Sequence, residues 1–371
     1  MYSAFPGTNP QLEEQCQTLG IEVKVASGRW MRNRIVFQHL RHCRLVLACG
    51  VRNRFKRSPS IRQILKNHYH VMEQHINPKY LSNLIKRVQL DHQKDPFVSI
   101  SGFHAVLLPS LYTMKQELDV PVNYTEISSP KYRFECGGTD LNATAQSINA
   151  LDNVIVPSPR IEVELQKYCG LNHSAIVIPF ATELPQYEYS PPVQGARTYG
   201  IIARLSREKN QDILIRSLPL VRDRIPDARL ILIGTGPQSS EYHSLAQQMG
   251  VDRSIEWISS FTKLEQVIEK IDIVTLISDA EGMPLTIIEA LYFGKPIIAT
   301  AVGSIPDMVV PGENGYLVEK DMAELADRII QIMSNPDLAR SMSLSSREIF
   351  TRDFSKDGVA RQILEVYTDG I

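Results

Sequence analysis

The sequence predicts an α/β protein of two Rossmann-like domains, each a doubly wound parallel sheet, and three observations carry that expectation. From Thr198 onward, short and almost wholly apolar runs alternate with helix-length segments, which is how parallel strands covered on both faces read. The first half repeats the alternation less regularly. Between the halves, Glu188–Ala196 (EYSPPVQGA) gathers Pro, Gly and small residues without periodicity, as a join does. At 371 residues and 43% hydrophobic content, the chain can bury the cores of about two domains.

In the first half IEVKVA (21–26), FVSIS (97–101), VPVNYTEI (120–127) and NVIVPS (153–158) read as strands, with helices at about 104–118 and 160–169. The segment 27–95 is basic and helical in pattern; a compact sheet does not require it, so it reads as an insertion or arm. In the second half the strands are TYGIIA (198–203), RLILIG (229–234), SIEWIS (254–259), IVTLIS (273–278) and PIIAT (296–300). Helices at roughly 211–224, 238–249, 263–271 and 284–293 separate them. Open sheets of this kind bind ligands beyond the carboxyl ends of their strands. The loops of interest are therefore Arg204–Asn210, Gly234–Pro237, Ser259–Thr262, Asp279–Met283 and Ala301–Ser304.

Bulk properties exclude several classes. The net charge of -1 argues against a general nucleic-acid affinity, and no nucleic-acid partner is expected. The charge is unevenly spread: Arg29 to Lys66 holds eleven Lys or Arg and no Asp or Glu, with Trp30, Phe37 and Phe55 interleaved. That segment reads as a solvated face or as a contact for an anionic membrane or lipid phosphate, with nucleic acid the remaining alternative. Five cysteines (16, 43, 49, 136, 169) without a CxxC pair suggest neither a disulfide framework nor a zinc ribbon, and a reducing cytosol fits them. The opening MYSAFPGTNP lacks the marks of a signal peptide, and no apolar run approaches the ~20 residues that span a bilayer, so any membrane association is expected to be peripheral. His68, His70 and His75 lack the carboxylate and spacing of a metal site, and no metal is expected. GTGPQS (234–239) has two glycines and follows the second strand of its domain, which does not fit a dinucleotide turn.

Two stretches carry chemistry. In DAEGMPLTIIEA (279–290), Pro284 suits the first turn of a helix, and Gly282 admits a close backbone approach. A helix starting there offers the amides of 285–287 to phosphate oxygens. Glu281 stands before that helix and Glu289 more than one turn inside it; each carboxylate can accept from vicinal hydroxyls, as of a ribose or hexose. On spacing alone both acids also read as a loop acid and a solvent-face acid. In ARLSREKNQ (203–211), Arg204 and Lys209 follow the first strand of the half, where two cations can neutralise a pyrophosphate or stand solvated.

Taken in order, ARLSREKN, LILIGTGP, SDAEGMPLTIIEALYFGKPIIATAVGSIPDMV and GENGYLV resemble the nucleotide-sugar domain of the family-4 glycosyltransferases, retaining enzymes of the GT-B fold with two Rossmann-like domains facing a cleft. The resemblance covers roughly Tyr199–Leu317. It implies that Arg204 and Lys209 bind the donor diphosphate, that Glu281, first acid of the E-x7-E motif, contacts the transferred sugar, and that Glu289 holds the nucleotide ribose. Arg204, Lys209 and Glu281 are thus the candidate catalytic residues; Glu289, Gly282, Met283, Pro284, Leu285 and Thr286 are the candidate donor-binding set. The implied activity moves a sugar from a nucleotide-diphosphate sugar to a hydroxyl acceptor, a glycan or lipid-linked glycan of the envelope. It needs no metal or other cofactor and takes place in the cytoplasm or on the inner membrane face. The alternative is a non-catalytic relative that binds nucleotide sugar as a regulatory or partner subunit.

The same resemblance divides the chain into an acceptor-side domain (1–187), a donor domain (188–352) and a last helix (353–371) expected to pack back on the first domain. It also marks departures. The family's first strand, Gly-rich loop and helix have no counterpart before MYSAFPGTNPQLEEQCQTLGIEVKVAS. In YTEISSP (124–130) Ile127 stands where the family commonly has a His, leaving Glu126 and Ser128 as acceptor-side candidates with Ser129 beside them, and IPF (178–180) replaces an Ile-Pro-Asn-Gly turn.

Overall fold

A computed structural model describes residues 100–103, 105, 108–119, 121–136, 140–182, 184–191 and 195–368. The expected strand at 21–26, the basic segment, its histidines and the departure at the amino end lie outside the described residues.

The first unit contains β1 (Ile100–Phe103), α1 (Leu108–Glu117), β2 (Val122–Thr125), α2 (Pro130–Glu135), α3 (Leu141–Ile148), β3 (Asn153–Val156), α4 (Pro159–Cys169) and β4 (Ile176–Val177). The four strands are parallel and lie in chain order, with Ile100 opposite Val122 and Asn123 opposite Asn153. Every residue of β2 is buried, which explains how a polar Asn123 is tolerated there: its amide joins Ser101 Oγ at 3.4 Å and Asn153 Nδ2 at 2.9 Å in a ladder across three strands. Leu111, Met114, Tyr124, Ile148, Ile161 and Leu165 fill the core. Polar caps start the helices after β2 and before β3: Ser129 Oγ accepts from Tyr132 N, and Asp140 from Ala143 N.

The second unit contains β5 (Thr198–Ile202), a 3-10 turn (Arg207–Lys209), α5 (Gln211–Arg224), β6 (Arg229–Ile233), α6 (Ser239–Gln248), β7 (Ile255–Ile258), α7 (Glu265–Ile268), β8 (Ile273–Leu276), α8 (Leu285–Tyr292), β9 (Ile297–Thr300), α9 (Ile305–Met308), β10 (Gly315–Val318), α10 (Met322–Met333), α11 (Pro336–Asp353) and α12 (Lys356–Thr368). Its six parallel strands run β10-β9-β8-β5-β6-β7, so chain order reverses between β5 and β8. There the ladder is short. β5 pairs with β6 from Thr198 to Ile202 but with β8 only at Tyr199↔Ile273 and Gly200↔Val274, and the Thr275 hydroxyl takes the Gly200 carbonyl at 2.9 Å. This is the switch point at which open α/β sheets form a crevice.

The contacts divide the chain between Val177 and Ile178, ten residues before the boundary expected at 187/188. The reason is packing: Phe180, Leu184 and Tyr187 lie against the second core, Tyr292 Oη donates to Pro185 O at 2.6 Å, and the Tyr187 and Phe293 rings stand 4.6 Å apart. Tyr189 Oη shares a hydrogen bond with Ser343 Oγ at 2.7 Å, and the Arg347 guanidinium lies 5.3 Å from the Tyr189 ring. The connecting segment thus follows α8 and belongs to the second unit, which also contains the last helix, α12. Among the described residues no helix is long and apolar enough to cross a membrane.

Candidate functional site

The switch point places the loop after β5 beside the loop after β8, and side chains stitch them together. Lys209 Nζ is hydrogen-bonded to Glu281 Oε1, which also accepts from Ser278 Oγ at 2.6 Å. The two charged side chains are 20% and 11% exposed, so the pair is partly withdrawn from water. Asn210, the residue after Lys209, is the only described non-glycine at positive φ (47°). Its amide reaches across to Ile277 O (3.0 Å) and Asp279 Oδ1 (2.7 Å), and Asp279 N returns a bond to Glu208 O (2.8 Å). Lys320, just past β10, pairs with Asp279 at 2.8 Å. Arg204 stands half-buried two residues past β5.

The loop after β6 closes under this one. Leu205 N donates to Thr235 O at 3.1 Å, and Gly234 (φ 137°) passes so near that a Cβ would lie 2.0 Å from Ala203 O. Tyr242 of α6 donates to Ser206 O at 3.2 Å; burial pushes its phenol up to about 12, so it remains a donor through the physiological range.

Helix α8 begins one residue later than the sequence suggested. Pro284 has ψ 118° and is the N-cap, because the chain is still extended there. Ile287 N turns back to Pro284 O at 3.0 Å, so the leading helix amides are those of Leu285 and Thr286 rather than all of 285–287. Thr286 Oγ1 donates to Ile202 O at 3.0 Å, fixing the helix start against the end of β5. Met283 is 6% exposed, and its sulfur accepts from Phe180 N at 3.2 Å. Glu289 is half-buried inside α8. Gly282 O accepts from Ser304 N at 2.9 Å, and at Gly303 (φ 54°) a Cβ would meet Glu281 O at 2.0 Å. Arg204, Lys209, Glu281 and the 282–286 turn therefore share one strand-end region of the second unit. Asn210, Ser278 and Gly303 complete it and were not singled out by sequence; the available signal was an Asn between a Lys and a helix start.

The two candidates of the first unit sit differently. Glu126 is 0% exposed just past β2, and Arg133 Nη2 pairs with it at 2.9 Å. It also accepts from Tyr124 Oη (2.8 Å), Ser128 N (2.9 Å) and Ser128 Oγ (2.7 Å). Burial acts to raise its pKa, but the Arg133 charge and these hydrogen bonds outweigh burial and hold the carboxyl at about 2. Glu126 thus spans the turn from β2 to α2 as an internal anion, and the Ser128 hydroxyl, which also accepts from Arg133 Nη1 at 2.9 Å, is bound into the same network. Among the described residues no group of three or more His, Cys, Asp or Glu is placed to hold a metal ion.

Cations and helix amides at a switch point suit a diphosphate, and carboxylates at either side suit hydroxyls. Two parallel-sheet units, with helices and a six-stranded second sheet of this order, define the GT-B fold. Residues 190–348 match the family profile described as "Glycosyl transferases group 1". The D-inositol 3-phosphate glycosyltransferase of Corynebacterium aurimucosum is 28% identical over 229 residues, 59% of this chain and 52% of that protein. The chain spans 44%, 52% and 38% of three curated relatives, about half of their length or less. Among solved structures, sucrose-phosphate synthase from Thermosynechococcus elongatus aligns with TM-score 0.70 at 22% identity, over 87% of this chain and 82% of that one. Anabaena HepE in complex with UDP-glucose aligns with TM-score 0.65 at 20% identity, over 84% and 90%.

Proposed function

We propose that the chain is a retaining glycosyltransferase that moves a sugar from a nucleotide-diphosphate sugar to a hydroxyl acceptor. The observation that carries this reading is the Lys209–Glu281 pair at the β5/β8 switch point, in loops that also carry Arg204 and lead into α8. The profile match over 190–348 and the UDP-glucose complex of HepE agree with it. Arg204, Lys209 and the Leu285 and Thr286 amides receive the diphosphate, Glu281 the sugar and Glu289 the ribose. As the anomeric carbon–oxygen bond breaks, its electron pair goes to the diphosphate, where each well-placed donor is worth about 3 kcal/mol of barrier. The acceptor oxygen bonds to the same face of the anomeric carbon, and its proton passes to the leaving phosphate. No protein nucleophile and no metal takes part.

The acceptor in this reading is a lipid-linked or envelope glycan at the inner membrane face, with the cationic segment 29–66 resting on anionic lipid. One observation favours a second reading, a nucleotide-sugar binder without transfer: the first unit's Glu126 and Ser128 are bound up internally. A thermal-shift panel of UDP, GDP, ADP and dTDP, followed by transfer assays with the matching sugars in EDTA, tests both. Stabilisation with transfer supports the enzyme, stabilisation without transfer across a broad acceptor panel supports the binder, and no stabilisation defeats both. A strict Mn²⁺ or Mg²⁺ requirement defeats the metal-free mechanism.

A further inference from the structure

Gln211, the first residue of α5, is 0% exposed, and among the described residues its Oε1 is the one buried side-chain polar atom without a hydrogen-bond partner. Its Nε2 donates to Arg204 O at 2.7 Å. The opposite orientation of the amide would set two carbonyl oxygens together, so the geometry fixes which atom faces Arg204. A methionine would occupy nearly the same volume and remove the orphaned Oε1, but it would leave the Arg204 carbonyl to the long contact from Ser206 Oγ at 3.5 Å. A buried, half-satisfied amide is unfavourable for stability, and such departures concentrate where function needs them. The rest of the Arg204 loop is anchored elsewhere: Leu205 N on Thr235, Ser206 O on Tyr242, and Asn210 on Ile277 and Asp279. The backbone that carries the Arg204 side chain is held from the interior by Gln211.

We propose that Gln211 is a positioning residue for the diphosphate: by clamping the Arg204 carbonyl, it sets the guanidinium for the phosphate oxygens. The inference rests on the donor-site reading above. Because the one hydrogen bond of the Gln211 side chain goes to Arg204 O, its loss should weaken ligands through their phosphates and leave base and ribose contacts unchanged.

The test uses the full chain and its Gln211→Met and Gln211→Asn variants. The nucleoside diphosphate that wild type binds most tightly in the panel is compared by calorimetry with its own nucleoside, and melting temperatures are recorded without ligand. For Gln211→Met the diphosphate is expected to bind about tenfold more weakly, the nucleoside within about twofold of wild type, and the melting temperature to stay close to wild type, the relief of Oε1 offsetting the bond lost at Arg204 O. Gln211→Asn, which keeps an amide on a shorter stem, is expected to recover part of the diphosphate affinity. Equal weakening of nucleoside and diphosphate, or diphosphate affinity equal to wild type, would each overturn the proposal. In the last case wild-type binding still stands and the donor-site reading survives; wild type that binds no nucleoside diphosphate removes that reading itself.

Discussion

Lys209 and Glu281, seventy-two residues apart in sequence, neutralise each other across the switch point of the second sheet. In the proposed function Lys209 serves the diphosphate and Glu281 the sugar, so a bound donor would have to separate the pair or share it.

That sharing makes the two charges separable by experiment. Lys209→Ala is expected to weaken nucleoside diphosphate binding and to lower transfer at least tenfold, about 1.4 kcal/mol of barrier. Glu281→Gln releases Lys209 to the phosphates, so nucleoside diphosphate should bind as tightly as to wild type or more tightly while transfer still falls about tenfold or more. Calorimetry with the diphosphate beside steady-state kinetics checks the split; equal losses of binding in both variants would refute it.

Asn210 combines a left-handed backbone with two bonds across the crevice. Asn210→Ala loses both bonds and strains the backbone, for an expected loss of about 2–3 kcal/mol, whereas Asn210→Gly loses the bonds but removes the strain and should cost about 1 kcal/mol less. Urea denaturation of the three proteins measures the order.

Gly303 leaves no room for a side chain beside Glu281 O. Gly303→Ala is therefore expected to destabilise by about 2 kcal/mol or more and to weaken nucleoside diphosphate binding, since the displaced 281–282 peptide leads into the start of α8, whose amides are assigned to the diphosphate. Normal binding with normal stability would show that the 281–282 backbone can move aside.

The buried pair in the first unit gives a signed pH prediction. The folded Glu126 carboxyl is depressed to about 2, so its stabilisation is complete above the unfolded value near ~4.3 and is lost as pH falls from there through about 2. Glu126→Gln strands the Arg133 charge and should cost about 3–5 kcal/mol at neutral pH, while Glu126→Leu with Arg133→Met should lie much closer to wild type. Denaturation midpoints against pH and a double-mutant comparison test both statements.

The second sheet was legible because its strands are buried on both faces and read as unbroken apolar runs; the helix expected at 211–224 is found at Gln211–Arg224. β10 escaped notice because GYLV is four residues long and only partly buried, and α10 and α11 were not among the expected helices. The residues proposed for the donor site could be named as motifs, since backbone turns at strand ends demand local residue types. The ties between segments could not. Lys209 with Glu281, Phe180 with Met283 and Arg133 with Cys169 depend on how distant segments meet, which no local pattern encodes.

The segment that follows α8 also governs where this protein can be cut. A fragment opened at residue 190, where the profile match starts, would strip Tyr187 from Phe293, Pro185 from Tyr292 and Phe180 from Met283. It would bare an aromatic face on the helix that carries Glu289, the kind of surface that drives aggregation. Recombinant versions of the second half should begin at Ile178, with the strap left on.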